Sequence, residues 1–180
     1  FAALGTAFCH DCGIPGKAAN IDEITTQVMD HFNNREVLIL APLIRKRKGY
    51  HADVMTRAAK QGFSELRIDG EIHAADRPPR LDRYRIHDIE AVVSNQTVGK
   101  AHEAAIRAAI QKGLETGAGT IIVTEKEPGV DRFYATRRAC PECGAGLPVA
   151  DPRLFTWSQK FCACPVCEGS GKAGDTSKNG

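Results

Sequence analysis

The sequence predicts a domain of the α+β or α/β class, built on a mixed sheet, with a small cysteine-held module at its base. Three observations predict it. Segments of helical period alternate with short apolar runs of strand character. An Asp69-Gly70 pair between two such runs marks a hairpin turn. Cys140, Cys143, Cys164 and Cys167 form two Cys-x-x-Cys pairs with twenty residues between them. That spacing fits a four-thiolate structural zinc site, in which the cation is closed on all sides and holds the fold without offering an open position to substrate. Disulfides are the other use of such cysteines, but partners this close in sequence bridge poorly, and no apolar leader directs the chain to an oxidising compartment.

Each element follows from its residues. Asn20 caps a helix whose apolar positions Ile21, Ile24, Val28 and Phe32 recur at helical steps, with Asp22 and Glu23 in its first turn. Residues 37–43 read as a buried strand ended by Pro42 and a basic stretch, and residues 51–60 as a helix closed by Gly62. Residues 63–69 and 71–73 pair as a hairpin. Residues 77–80 form a proline-rich loop, 84–93 a longer strand, and 101–114 a helix with Ala105, Ile106, Ala109 and Ile110 inward. Residues 120–123 make the last strand, followed by a polar connection over 125–131. Helices lie largely on one face of the sheet.

Composition excludes several classes. The chain has 180 residues, 42% of them apolar, and a net charge of +2, too small to argue for nucleic-acid binding by itself. Its longest apolar run is far below the ~20 residues that span a bilayer. Gly171-Lys172 imitates the end of a phosphate loop, but Val166 and Ala173 stand where glycine and a hydroxyl are needed, so no Walker A motif is formed. Seven cysteines fit a reducing cytoplasm in which thiols hold metal.

Six blocks follow one another in a recognisable order: residues 41–51, 62–71, 87–93, 140–144, 151–155 and 163–169. Together they resemble the UvrA family, the damage-recognition ATPases of bacterial nucleotide excision repair. The resemblance implies four parts. Residues 1–17 belong to the ATP-binding region, 18–125 form the UvrB-binding domain, 126–170 a zinc-finger module, and 171–180 a flexible tail. It also implies that ATP is bound in flanking regions and not by this chain, which is then no enzyme alone. The partner is UvrB, damaged double-stranded DNA is met through the parent protein, the parent is a homodimer, and no membrane is involved. His10, Cys162 and Ser94 to Gln96 depart from the family pattern, as in a divergent paralogue.

Within that frame the candidate sites are these. Cys140, Cys143, Cys164 and Cys167 hold zinc. Cys9 and Cys12 supply half of a second metal site, for which His51 and His87 are candidate partners because neutral imidazole is a good zinc ligand. Arg67, Asp69 and Glu71 form a charged hairpin face for partner docking. Arg45, Lys46, Arg47 and Lys48 are four consecutive cations that suit DNA or partner contact, or a solvated loop. Phe155 and Trp157 pack over the zinc knuckles or stack on bases. The reading from another class is a free-standing zinc-containing nucleic-acid-binding protein.

Overall fold

The structure, a computed structural model, describes residues 5–126 and 129–147. The elements in chain order are α1 (Ile21–His31), β1 (Glu36–Lys48), α2 (Ala52–Lys60), β2 (Glu65–Ile68), β3 (Glu71–Ala74), β4 (Ile86–Thr97), a 3₁₀ turn (Lys100–His102), α3 (Glu103–Thr116), β5 (Thr120–Glu125) and β6 (Arg132–Ala135). The strands form one sheet in the order β3-β2-β4-β1-β5-β6.

The α+β class holds, but the expected mixed sheet is antiparallel at every pairing. The reason lies in the crossovers. Strands β1 and β2, joined through α2, run parallel but are separated by β4; β4 and β5, joined through α3, run parallel but are separated by β1. Each helical connection therefore skips one position, and an antiparallel strand fills the gap.

Local chemistry explains the helices. Asn20 accepts from the Glu23 N–H and the Glu23 carboxylate accepts from the Asn20 N–H, both at 2.9 Å, a reciprocal cap that satisfies two otherwise unpaired donors of α1. Ile24 and Val28 of α1 and Ile106 and Ile110 of α3 are fully buried against Val37, Ile39, Ile121 and Val123 of the sheet. Each such side chain contributes about 1.5–3 kcal/mol by leaving water. Met55 and Ala58 of α2 cover the other half of the same face, over Leu66, Ile68, Ile89 and Ala91.

Strand β1 continues through Pro42 to Lys48, where a loop was expected. Pro42 is tolerated because the ladder to β5 ends at Leu40 and the register to β4 shifts between Pro42 and Ile44. These irregularities bend the strand, and its basic end reaches β4 by the Arg47–His87 and Lys48–Ile86 pairings. Strand β6, inside the stretch expected to be the zinc-finger module, pairs with β5.

The opposite sheet face carries a small apolar cluster of Leu40, Val92 and Ile122, with Leu38 and Phe133 against it. Its β2–β4 end is charged. Among the described residues, no helix is long and apolar enough to cross a membrane.

Candidate docking face and metal centre

Two Cys-x-x-Cys-Gly segments have one backbone design. In the first, Cys9 N–H donates to Ile14 O at 2.8 Å and Gly13 N–H to Cys9 O at 2.9 Å. In the second, Cys140 N–H donates to Ala145 O at 2.9 Å and Gly144 N–H to Cys140 O at 2.8 Å. Both glycines are left-handed, φ 70° at Gly13 and 64° at Gly144, which a side chain would strain. A Cβ at Gly144 would also collide with the Arg45 guanidinium and the Phe133 ring. Single bridges, Phe8 to Pro15 and Ala139 to Gly146, close each knuckle, and Lys17 bridges to Ala139 to join them. The helices and sheet are thus looped out between two knuckles that meet.

They meet through sulfur. One ligand atom from each of Cys9, Cys12, Cys140 and Cys143 lies within 4.8 Å of the others, and the Cys9 and Cys143 sulfurs are 3.6 Å apart. Four thiolates at about 2.3 Å from one tetrahedral cation stand about 3.8 Å from each other, so this donor set fits a metal such as zinc. Burial pushes the Cys140 thiol up, but the N–H groups of Cys143 and Glu142 outweigh it and bring it down to about 7. Cys12, hydrogen-bonded to Cys143 and then burdened by burial, is pushed up to about 12, and burial also raises Cys143. A cation is what would let all four ionise together.

Among the described residues, Cys9 and Cys12 find their partners in Cys140 and Cys143. Cys164 and Cys167, like Phe155 and Trp157, lie outside the described residues. The two histidines do not complete the Cys9/Cys12 pair. His51, left-handed at φ 47° before α2, points Nε2 at Arg47 O at 3.2 Å, and both nitrogens of His87 are engaged by Asp69 and Asp82. Their rings do approach each other, with centroids 6.4 Å apart, but neither histidine joins the cysteine cluster. A sequence signal for the observed pairing exists: Gly follows Cys12 and Cys143, whereas Glu168 follows Cys167.

The basic run divides in the structure. Arg45 turns inward, donating to Cys143 O and lying 4.5 Å over the Phe133 ring, so it fastens the knuckle to the sheet. Lys46, Arg47 and Lys48 are exposed.

The hairpin residues have three different fates. Arg67 on β2 is only 11% exposed; its guanidinium donates to both Asp131 oxygens at 2.8 and 2.7 Å and through Nε to Glu90 at 3.2 Å. Asp69, at φ 50° in the turn, accepts from the His87 ring and the Asp88 N–H. Glu71 is 83% exposed. Burial alone would disfavour the Arg67 charge, but its hydrogen bonds to Asp131 and Glu90 hold it protonated more firmly than an ordinary arginine. Glu90 shifts up, because burial and the like charges of Asp131 and Asp88 outweigh its single pairing to Arg67. The two partners respond oppositely because Arg67 has two acceptors while Glu90 has one donor. We take Glu90 as ionised at neutral pH, since the guanidinium beside it is permanently charged.

This trio forms the floor of a groove of about 940 Å³ on the sheet face opposite the helices. Its walls include Glu65, Asp69, Asp88 and Glu125 against Arg85 and Lys126, so carboxylates predominate. Sequence reasoning missed Glu65, Glu90 and Asp131. The β2–β4 register that sets Arg67 opposite Glu90 is a long-range pairing with no local signature.

Residues 20–127 match the family described as the UvrA interaction domain. The chain belongs to that family. The UvrABC system protein A of Methanothermobacter thermautotrophicus is 36% identical to this UvrA-type chain over 175 residues, that of Thermus thermophilus 31% over 173, and that of Aquifex aeolicus 29% over 171. Each match covers 95% of the chain but 18% of the relative. The UvrA-type chain thus spans under a fifth of the length of these relatives. The match spans α1 through β5 between the knuckles and ends before β6 and the second knuckle.

Proposed function

We propose that this chain is the UvrB-docking part of a UvrA-type repair ATPase, standing on a zinc-bound base. The observation that carries the reading is that, among the described residues, the segment matching the interaction domain leaves one sheet face without a helix cover, and that carboxylates outnumber cations in the groove on that face. A surface of that kind recognises a basic surface on its partner; complementary charge sets orientation and association rate more than raw affinity. Arg67 then serves the interface by holding Glu90 and Asp131 in place. Asp69 and Glu65 present the charge to the partner, whereas Glu71, paired with Ile68, falls on the helix-covered face.

Zinc in this reading is bound by Cys9, Cys12, Cys140 and Cys143. It clamps the two chain ends of the inserted domain together. Cys164 and Cys167 would join ligands elsewhere in the parent protein. ATP binding, contact with damaged duplex and homodimerisation belong to that parent, working in the cytoplasm.

Calorimetric titration of the zinc-loaded chain with UvrB tests the proposal. A saturable 1:1 isotherm is expected. Absence of UvrB binding together with steep, salt-sensitive binding to duplex DNA would replace it with a free-standing nucleic-acid-binding protein.

A further inference from the structure

His87 lies on β4 with its side chain 4% exposed. Its Nδ1 is 2.6 Å from a carboxylate oxygen of Asp69, and its Nε2 is 2.8 Å from the carbonyl oxygen of Asp82. Neither oxygen has a hydrogen to give. A neutral imidazole of either tautomer would leave one ring nitrogen lone pair facing an acceptor, with the ring itself 4% exposed and the Asp69 side chain 43%. Only the doubly protonated ring donates to both.

The two acceptors belong to different segments. Asp69 forms the β2–β3 turn at positive φ, and its second carboxylate oxygen accepts from the Asp88 N–H at 2.8 Å, while its own N–H donates to Asp88 O at 2.9 Å. Asp82 belongs to the loop that enters β4, with its carboxylate turned to the Tyr84 N–H. We propose that His87, as an imidazolium, is the positioning residue that clasps the Asp69–Gly70 turn to this loop and so fixes the docking edge. The assignment of that edge to UvrB rests on the proposed function; the clasp does not.

The charged surroundings favour the proton on balance. Asp69 faces the ring from the turn and Arg85 acts on it from just before β4, while Arg47 pairs opposite on β1 and the His51 ring stands before α2. Asp88, next along β4, turns its carboxylate to the other sheet face and the Lys46 N–H. The hydrogen bond to Asp69 and then that to the Asp82 carbonyl outweigh burial and Arg85 and raise His87 above its ordinary value. A raised histidine stabilises fully below about 6.5 and loses that contribution as pH climbs through its folded value. The clasp is therefore closed below about pH 6.5 and opens as pH climbs through the raised folded value.

Long-range ¹H–¹⁵N NMR of the wild-type chain reads the ring directly. Both His87 nitrogens should show protonated-type shifts at about pH 6.5 and change together at higher pH; one unprotonated nitrogen at that pH overturns the proposal. The variant His87→Phe fills the volume without donors. Amides of residues 69–71 should exchange faster by about tenfold, with Ile106 and Ile110 unchanged; unaltered exchange in the turn overturns it. UvrB affinity should fall by a similar factor in this variant and in the wild type at alkaline pH. If UvrB fails to bind the wild type while the NMR signature holds, the clasp stands and the docking assignment falls; wild-type affinity in His87→Phe removes His87 from the docking edge.

Discussion

Arg67 grips Asp131 with both terminal nitrogens, at 2.8 and 2.7 Å, from 64 residues away in sequence. The pair ties β2 to the chain entering β6, across the floor of the charged groove. Its consequence is that the most obvious docking candidate in the sequence is an internal strut.

Removal of that strut should cost stability. Arg67→Ala leaves Glu90, 6% exposed, and the partly exposed Asp131 without their cation. Breaking a buried pair by deleting one partner costs about 3–5 kcal/mol, and the exposed side of Asp131 argues for the lower figure, about 3 kcal/mol. Urea denaturation should show the midpoint fall with an unchanged slope.

The metal centre gives a discriminating exchange. Cys9→Ser should remove one zinc per chain by native mass spectrometry and make the knuckle amides of residues 140–145 exchange faster. A Cys164→Ser variant should retain the zinc held by Cys9, Cys12, Cys140 and Cys143. Zinc content unchanged by Cys9→Ser would return the first knuckle to a purely structural role.

Acid sensitivity should map to the turn. Burial pushes the Asp69 carboxyl up, but hydrogen bonds from His87 and the Asp88 N–H outweigh it and hold it below the usual carboxylate range. A lowered carboxyl contributes stability above about pH 3.9 and loses it as pH falls through the folded value. Asp69→Asn keeps a residue that tolerates positive φ and should flatten the acid limb of stability below about pH 4. Denaturation midpoints across that range check it.

The cap of α1 is a local test of folding. Asn20→Ala removes the acceptor of the Glu23 N–H and should lower stability by about 1 kcal/mol, leaving zinc content and UvrB binding unchanged. Thermal melts and metal analysis measure both.

Elements governed by local pattern were legible in the sequence. The Ile24, Val28 and Phe32 stripe, the Asn20 cap and the Asp69-Gly70 turn each carry their own signal, and all three stand in the structure. What escaped was set by distant partners. Lys46 to Lys48 extend β1 because β4 pairs with them, and the Arg67–Glu90–Asp131 trio needs a strand register that no short window contains. The thiol cluster fell between these cases. Spacing pointed to Cys164 and Cys167, whereas the shared Cys-x-x-Cys-Gly pattern matches the knuckles that meet.

The most direct test is the affinity of UvrB for the zinc-loaded chain with Glu65 changed to lysine. This exposed side chain on the groove wall makes no ion pair among the described residues, so the fold should stay within about 0.5 kcal/mol of wild type. Binding should weaken by about tenfold or more, mainly through slower association, with a reduced or reversed dependence on salt. Unchanged affinity and salt dependence in a folded, zinc-loaded Glu65→Lys variant would contradict docking through this face.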